Sequence, residues 1–282
     1  MSQRNNQSRT GTPEPTPSTP KPQVANNALL DFVSPTQFVL LPSKGLGYDQ
    51  SHPLCNKEQV EIRYMTAKDE DILSSEALLR KGVALDRFLE NILMDKNFPV
   101  DSLLIGDKNA ILISARTSGY GNLYETKVVC PSCGFKSELT FDLNSSRLHH
   151  GEIPEDCEKT ENGTFKTKLP VSGIEVEFRL LNSKDEKTMI KALADAQKRK
   201  TASNAITNQY GMMIVSANGV TNKYQIGQFI DVMPIGDSKH LRKVYQKVSP
   251  NIELKHEFEC NSCGYEQELE VPFGADFFWP DA

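Results

Sequence analysis

The sequence predicts an α+β chain built as two halves of one plan. Each half is a strand or hairpin, then a helical group, then a strand running into a Cys-x2-Cys-Gly turn, and the two turns together compose one four-cysteine site. Three observations carry this. Cys130-Pro131-Ser132-Cys133-Gly134-Phe135 returns 130 residues later as Cys260-Asn261-Ser262-Cys263-Gly264-Tyr265, and Glu138-Leu139 returns at the same offset as Glu268-Leu269. The residues flanking both turns alternate in the two-residue period of a strand. Upstream of each turn lie several segments whose apolar residues recur at helical spacing.

Residues 1–28 form a tail rich in Pro, Ser, Thr, Asn and Gln, with almost nothing apolar to bury, and are expected to be disordered. The first half is taken as 29–145, with order starting near Phe32-Val33 and Phe38 to Leu41. Val60, Ile62 and Tyr64 alternate with Glu61 and Arg63 as a half-buried strand. Thr66 to Asp69 reads as a capping box with the shorter acid, opening one helix that runs through Leu73 to about Leu79 and stops near Gly82. A second helix carries Leu85, Phe88, Leu89, Ile92 and Leu93, and a third spans Asp107 to Ser118. Glu125 to Val129 then enters the first cysteine turn, and Leu139, Phe141 and Leu143 alternate along the strand that leaves it.

The second half is taken as 146–282. A polar, acidic stretch from about Asn144 to Asn162, read as loop, straddles its start and is followed by a hairpin over Phe165 to Leu180 around Pro170-Val171-Ser172-Gly173. Ser183-Lys184-Asp185-Glu186 reads as a second capping box, opening a helix that ends at Lys198-Arg199-Lys200. Further helices carry Ile206 to Ala217, then Phe229, Ile230 and Met233, then Leu241, Val244, Tyr245 and Val248.

Two thiolates two residues apart grip one metal ion from a tight turn, and Zn²⁺ in a structural site takes four such ligands. Neither turn closes a site alone, so Cys130, Cys133, Cys260 and Cys263 are the candidate ligands of one structural Zn²⁺. Glycine at 134 and 264 suits a residue that needs positive φ. The competing readings are disulfides, which the lack of an apolar core in the first residues argues against, and redox thiols, which favour a helix N-terminus. His52 with Cys55, Cys157, and the pair His149-His150 have no further ligands at useful spacing and read as structural or solvated residues.

A formal charge of −5 argues against a whole-surface nucleic-acid binder, and no apolar run approaches the roughly 20 residues that span a bilayer. No P-loop, His-Glu-x-x-His or Gly-x-Ser-x-Gly motif is present, and four thiolates leave zinc no open position, so the chain reads as a non-enzyme. The alternative is a zinc-ribbon nucleic-acid-binding protein, with Lys198 to Lys200 and Lys239, Arg242, Lys243 and Lys247 tracking phosphates. Acids among these helices and turn tips without Lys or Arg weigh against it.

Several stretches, in order, resemble the baseplate hub and hub-assembly proteins of contractile-tailed bacteriophages: Arg63 to Leu73, Leu103 to Ala110, Ser118-Gly119-Tyr120-Gly121, Cys130 to Gly134, Phe178-Arg179-Leu180-Leu181, Met233-Pro234, and Phe277-Phe278-Trp279-Pro280. The likeness runs from about residue 35 to the C-terminus. It implies a non-enzymatic role in tail baseplate assembly within the host bacterial cytoplasm, as a hub component of the virion or a chaperone-like assembly factor, with other hub proteins as partners. Phe273, Phe277, Phe278 and Trp279 are the candidate partner-binding residues, since terminal aromatics often anchor interfaces. Folding back onto the protein's own core is the other place open to them.

Overall fold

The computed structural model describes residues 35–199, 204–270 and 277–278. Strand β1 (Thr36–Leu40) pairs antiparallel with β2 (Gln59–Arg63), and the helices α1 (Ala67–Ser74), α2 (Glu76–Lys81), α3 (Ala84–Ile92) and α4 (Ile105–Tyr120) follow. The hairpin β3 (Leu123–Val129) and β4 (Lys136–Asp142) carries the first cysteine turn. Next come β5 (Arg147–His149), β6 (Cys157–Lys159), β7 (Phe165–Lys168) and β8 (Glu175–Phe178), then helices α5 (Ser183–Arg199) and α6 (Ala205–Met213). Strand β9 (Ile214–Ala217) precedes α7 (Lys223–Val232) and α8 (Ile235–Val248), and β10 (Asn251–Glu253) leads into the hairpin β11 (Lys255–Glu259) and β12 (Glu266–Glu270). Strands β6 to β9 form one antiparallel sheet in sequence order, and the remaining strands pair in twos, β5 with β10. The expected tail, residues 1–28, and the apolar pair Phe32-Val33 lie outside the described residues.

In the first half, Arg63 at the end of β2 grips Asp69 with both nitrogens, at 2.6 and 2.9 Å. The same carboxylate caps α1 by accepting from the Thr66 backbone N–H at 2.8 Å, so the expected capping box forms. The single helix expected from the Thr66 cap through Leu73 to Leu79 is two helices, α1 and α2. Ser75 leaves helical geometry at φ −68°, ψ 105°, and α2 ends where Gly82 turns left-handed at φ 67°. Burial alone would raise the Asp69 carboxyl, but Arg63, the Thr66 amide and hydroxyl, and Asn91 hold it down at about 2. Its contribution is therefore present above the usual pKa near 4 and lost as pH falls through about 2. Urea unfolding followed from pH 5 to pH 2 should show Asp69→Asn losing less stability than wild type by about 1–2 kcal/mol, because solvent near Arg63 reduces the ion pair. Parallel curves would show that this pair does not set the acid limb.

The second half departs from the sequence reading in three places. Ser183 is already helical, and the cap is Asn182: its side chain accepts from the Asp185 N–H at 3.1 Å while Asp185 accepts from the Asn182 N–H at 3.0 Å. The helix expected to reach Ala217 ends at Met213, because the β-branched Ile214-Val215 completes the sheet as β9 against β8. The acidic stretch read as loop contains β5 and β6, strands of three residues too short for an alternation signal.

Correspondence between the halves extends well beyond the cysteines. Leu41-Pro42-Ser43-Lys44-Gly45 follows β1 as Leu169-Pro170-Val171-Ser172-Gly173 follows β7, with Gly45 and Gly173 at φ 73° and 70°. The pair Arg63–Asp69 is matched by Arg179–Asp185, again two-pronged, at 2.7 and 2.8 Å. Ile105-Gly106-Asp107 opens α4 as Ile235-Gly236-Asp237 opens α8. Asp107 accepts from the Ser43 N–H at 3.0 Å, and Asp237 from the Val171 and Ser172 N–H groups at 2.7 and 3.0 Å. In each half a buried carboxylate in the first turn of the long helix thus ties that helix to the hairpin turn, where it also suits the positive end of the helix dipole. One apolar core serves both halves: Phe88, Ile111 and Tyr124 belong to the same cluster as Phe178, Ile214 and Leu241. Helix α4 lies inside it, and Gly106 lets α4 approach so closely that a Cβ there would stand 2.1 Å from the Pro250 carbonyl oxygen.

Candidate metal centre

Each cysteine turn is built the same way. The Cys130 N–H donates to the Phe135 carbonyl at 2.8 Å and the Gly134 N–H to the Cys130 carbonyl at 2.9 Å; in the second turn the corresponding bonds from Cys260 and Gly264 are both 2.9 Å. These bonds fold four residues into a loop that aims both thiols to one side. The chain then re-enters the hairpin through Gly134 and Gly264, at φ 74° and 66°, a conformation that costs glycine little. Cys130 and Cys260 are buried in a small cluster with Phe258, flanked by Val128, Leu139 and Leu269, while Cys133 and Cys263 sit at the surface.

The four sulfurs lie within 4.8 Å of one another, although the two pairs are contributed by separate hairpins far apart in the sequence. Cys130 Sγ is 3.8 Å from Cys263 Sγ, and Cys133 Sγ is 3.7 Å from Cys260 Sγ. A tetrahedral tetrathiolate with metal–sulfur bonds of about 2.3 Å has sulfur–sulfur edges of about 3.8 Å, so the donor set and its size both suit a metal ion. A disulfide needs about 2.05 Å, and all four cysteines are free thiols. The thiols also disturb one another. Burial would raise Cys260, yet the Ser262 and Cys263 amides and the neighbouring thiols bring it to about 7. The Phe135 amide favours the Cys133 thiolate, but burial and the other three sulfurs push Cys133 up to about 12. Four thiolates at this spacing repel unless a cation lies between them.

The other sequence candidates are placed elsewhere. His52 stacks on Tyr48 with ring centroids 4.6 Å apart and hydrogen-bonds Ser102, so it braces the turn after β1. His149 and His150 face the Lys247 and Pro42 carbonyls. Cys157 is buried in β6, where burial and the adjacent Asp156 and Glu158 raise its thiol to about 11. Among the terminal aromatics, Phe273 and Trp279 lie outside the described residues, whereas Phe277 and Phe278 are 2% and 1% exposed. Phe278 meets Phe88 edge-on at 5.2 Å, Phe277 meets Tyr124 at 5.1 Å, and buried Arg116 donates to the Phe277 carbonyl at 2.9 Å. Those two occupy the core. Arg116 gave no sign in the sequence, since a lone arginine on an amphipathic helix reads as a solvated residue. On α8, Lys243 and Lys247 line an open cleft of about 730 Å³ shared with His149, Asp156, His240 and Glu253, so acids interrupt the basic face.

Among the described residues no helix is long and apolar enough to cross a membrane. No curated protein and no solved structure matches the chain. A family model described as T4 bacteriophage base plate protein matches residues 48–279, a span that includes both cysteine turns and every helix of both halves. The chain belongs to the T4 bacteriophage base plate protein family.

Proposed function

We propose that the chain is a non-enzymatic baseplate hub protein, acting as a hub component or a hub-assembly factor, whose two halves are held together by one structural Zn²⁺. The observation that carries this is the four-sulfur cluster, closed by Cys130 and Cys133 from one hairpin and Cys260 and Cys263 from another. Four thiolates saturate zinc and leave no site for water or substrate, which fits a fastening rather than a catalyst. Zinc is favoured over other ions because an all-thiolate tetrahedron selects zinc or iron, and a mononuclear site without redox demand is the ordinary zinc case. When bound, the ion would offset the mutual repulsion of the thiolates and fasten the two hairpins to each other. Its partners are other hub proteins, and its place of work is the host cytoplasm during assembly, with the virion baseplate as the destination of a hub component.

Two measurements test this reading. Elemental analysis of protein purified without chelator should find about one zinc per chain, absent from a variant with Cys130 and Cys133 changed to Ser; no metal in the wild type would remove the site. Mass spectrometry of purified virions beside infected-cell lysate separates the two roles. Presence in virions identifies a hub component, and presence in the lysate alone, in complexes with hub proteins, identifies an assembly factor. Failure to co-purify with any baseplate protein in either sample would sink both.

A further inference from the structure

The internal correspondence leaves one face of the first half covered and its counterpart in the second half bare. Leu103 and Leu104, just before α4, are extended at φ −58°, ψ 131° and φ −59°, ψ 145°. They pair antiparallel with the segment before α5: the Ser183 N–H donates to the Leu103 carbonyl at 2.8 Å, and the Ile105 N–H to the Leu181 carbonyl at 3.3 Å. Ile105 packs on the core beside this pairing, and Pro250-Asn251 closes over Gly106.

In the second half, Met233 and Pro234 adopt the same conformation before α8, at φ −62°, ψ 126° and φ −57°, ψ 141°. Among the described residues no extended segment pairs with them. Ile235 is 85% exposed, flanked by Val232 at 77% and Val171 at 63%, and among the described residues the Ile235 N–H meets no acceptor. Proline at 234 does not spoil the match, because the equivalent Leu104 N–H bonds the Tyr48 hydroxyl and takes no part in the pairing. The covering segments have bare counterparts too. Leu181-Asn182-Ser183, two residues beyond Arg179, corresponds to Met65-Thr66-Ala67 beyond Arg63, and Pro250-Asn251 to Tyr120-Gly121. Thr66, Ala67, Tyr120 and Gly121 are all exposed.

We infer that the Val171, Val232, Ile235 face docks a second copy of this chain, through that copy's Met65-Thr66-Ala67 segment and Tyr120-Gly121. The contact repeats between molecules the one that the two halves make within a molecule: two backbone hydrogen bonds between extended segments, with an isoleucine sealed beneath. Such a contact joins unlike surfaces, so a pair of copies keeps one free face of each kind, and association continues into a ring or an open chain.

Sedimentation of the full-length protein over a concentration series tests this. Wild type should associate beyond a dimer. Ile235→Asp and Ala67→Asp, both at exposed positions, should each remain monomeric at concentrations about tenfold above the wild-type midpoint, with unchanged zinc content and circular dichroism. Mixing the two variants should give dimers and nothing larger, because the pair holds one intact face of each kind and the contact uses both. Association of wild type that stops at a dimer, or mixed variants that do not pair, would overturn the head-to-tail contact. A wild type that stays monomeric while Ile235→Asp alone loses binding to purified baseplates would overturn self-association and give the face to another baseplate protein.

Discussion

Cys260→Ser is expected to strip the metal and to lower the thermal midpoint by about 10 °C or more, with the damage reaching the half of the chain in which no residue was changed. The cysteine turns have little else to hold them: their private cluster is Cys130, Phe258 and Cys260, with three partly buried neighbours. Structural zinc sites contribute on the order of 10 kcal/mol of binding free energy in small peptides. A domain with an independent core loses only part of that, and each kcal/mol is worth about 2–4 °C at this size. Limited proteolysis localises the effect. Residues 58–143 should become cleavable in Cys260→Ser, because β3 and β4 lose the partner hairpin that the ion fastens to them. Wild-type resistance over that stretch would mean that the ion braces only its own hairpin. Cys157→Ser is the control, a buried thiol in β6 remote from the four sulfurs, which should keep its zinc.

Phe277→Ala and Phe278→Ala should each cost about 3–5 kcal/mol, the usual loss for emptying a buried phenylalanine site. Their rings are stacked edge-on against each other at 5.4 Å and against Tyr124 and Phe88, so removing either leaves a cavity lined by aromatic rings that cannot collapse. Truncation at Phe277 removes both rings and the carbonyl that accepts from Arg116, leaving a buried guanidinium short of an acceptor. Since domains are stable by only about 5–15 kcal/mol, the truncated chain should unfold or aggregate on expression. A truncation with a wild-type midpoint that no longer co-purifies with hub proteins would instead return these aromatics to an interface.

The parts of the fold legible in sequence were those set by local periodicity and by repetition. The cysteine hairpins, α3, α4, α7 and α8 could be read because spacing, caps and terminators all pointed the same way. The break at Ser75 could not, because an apolar pattern runs across it without proline or glycine. Ile214 to Ala217 kept helical spacing with the preceding turn, yet the open edge of β8 claimed it, a tertiary preference that no short window contains. Within the site, the four candidate ligands were legible from composition and spacing alone. Their convergence was an inference from metal valence, which geometry supports with the edges of 3.7 and 3.8 Å. The burial of Phe277 and Phe278 was not legible, since a terminal aromatic run looks alike whether it meets a partner or its own Tyr124.

Placing two candidate metal ligands at 130 and 133 and the other two at 260 and 263 also imposes an order in time. At about 5–20 residues per second, the ribosome delivers the second pair roughly ten seconds after the first. Throughout that interval the nascent chain offers a metal only half a coordination sphere, which water or cellular thiols complete weakly. On the proposed zinc reading, tight capture waits until residues 260–263 have been synthesised. On that reading the proposed ion would act as a check on synthesis itself: a chain that stops before Cys260, however well its first helices have formed, would carry one unfilled pair of thiols and would not lock.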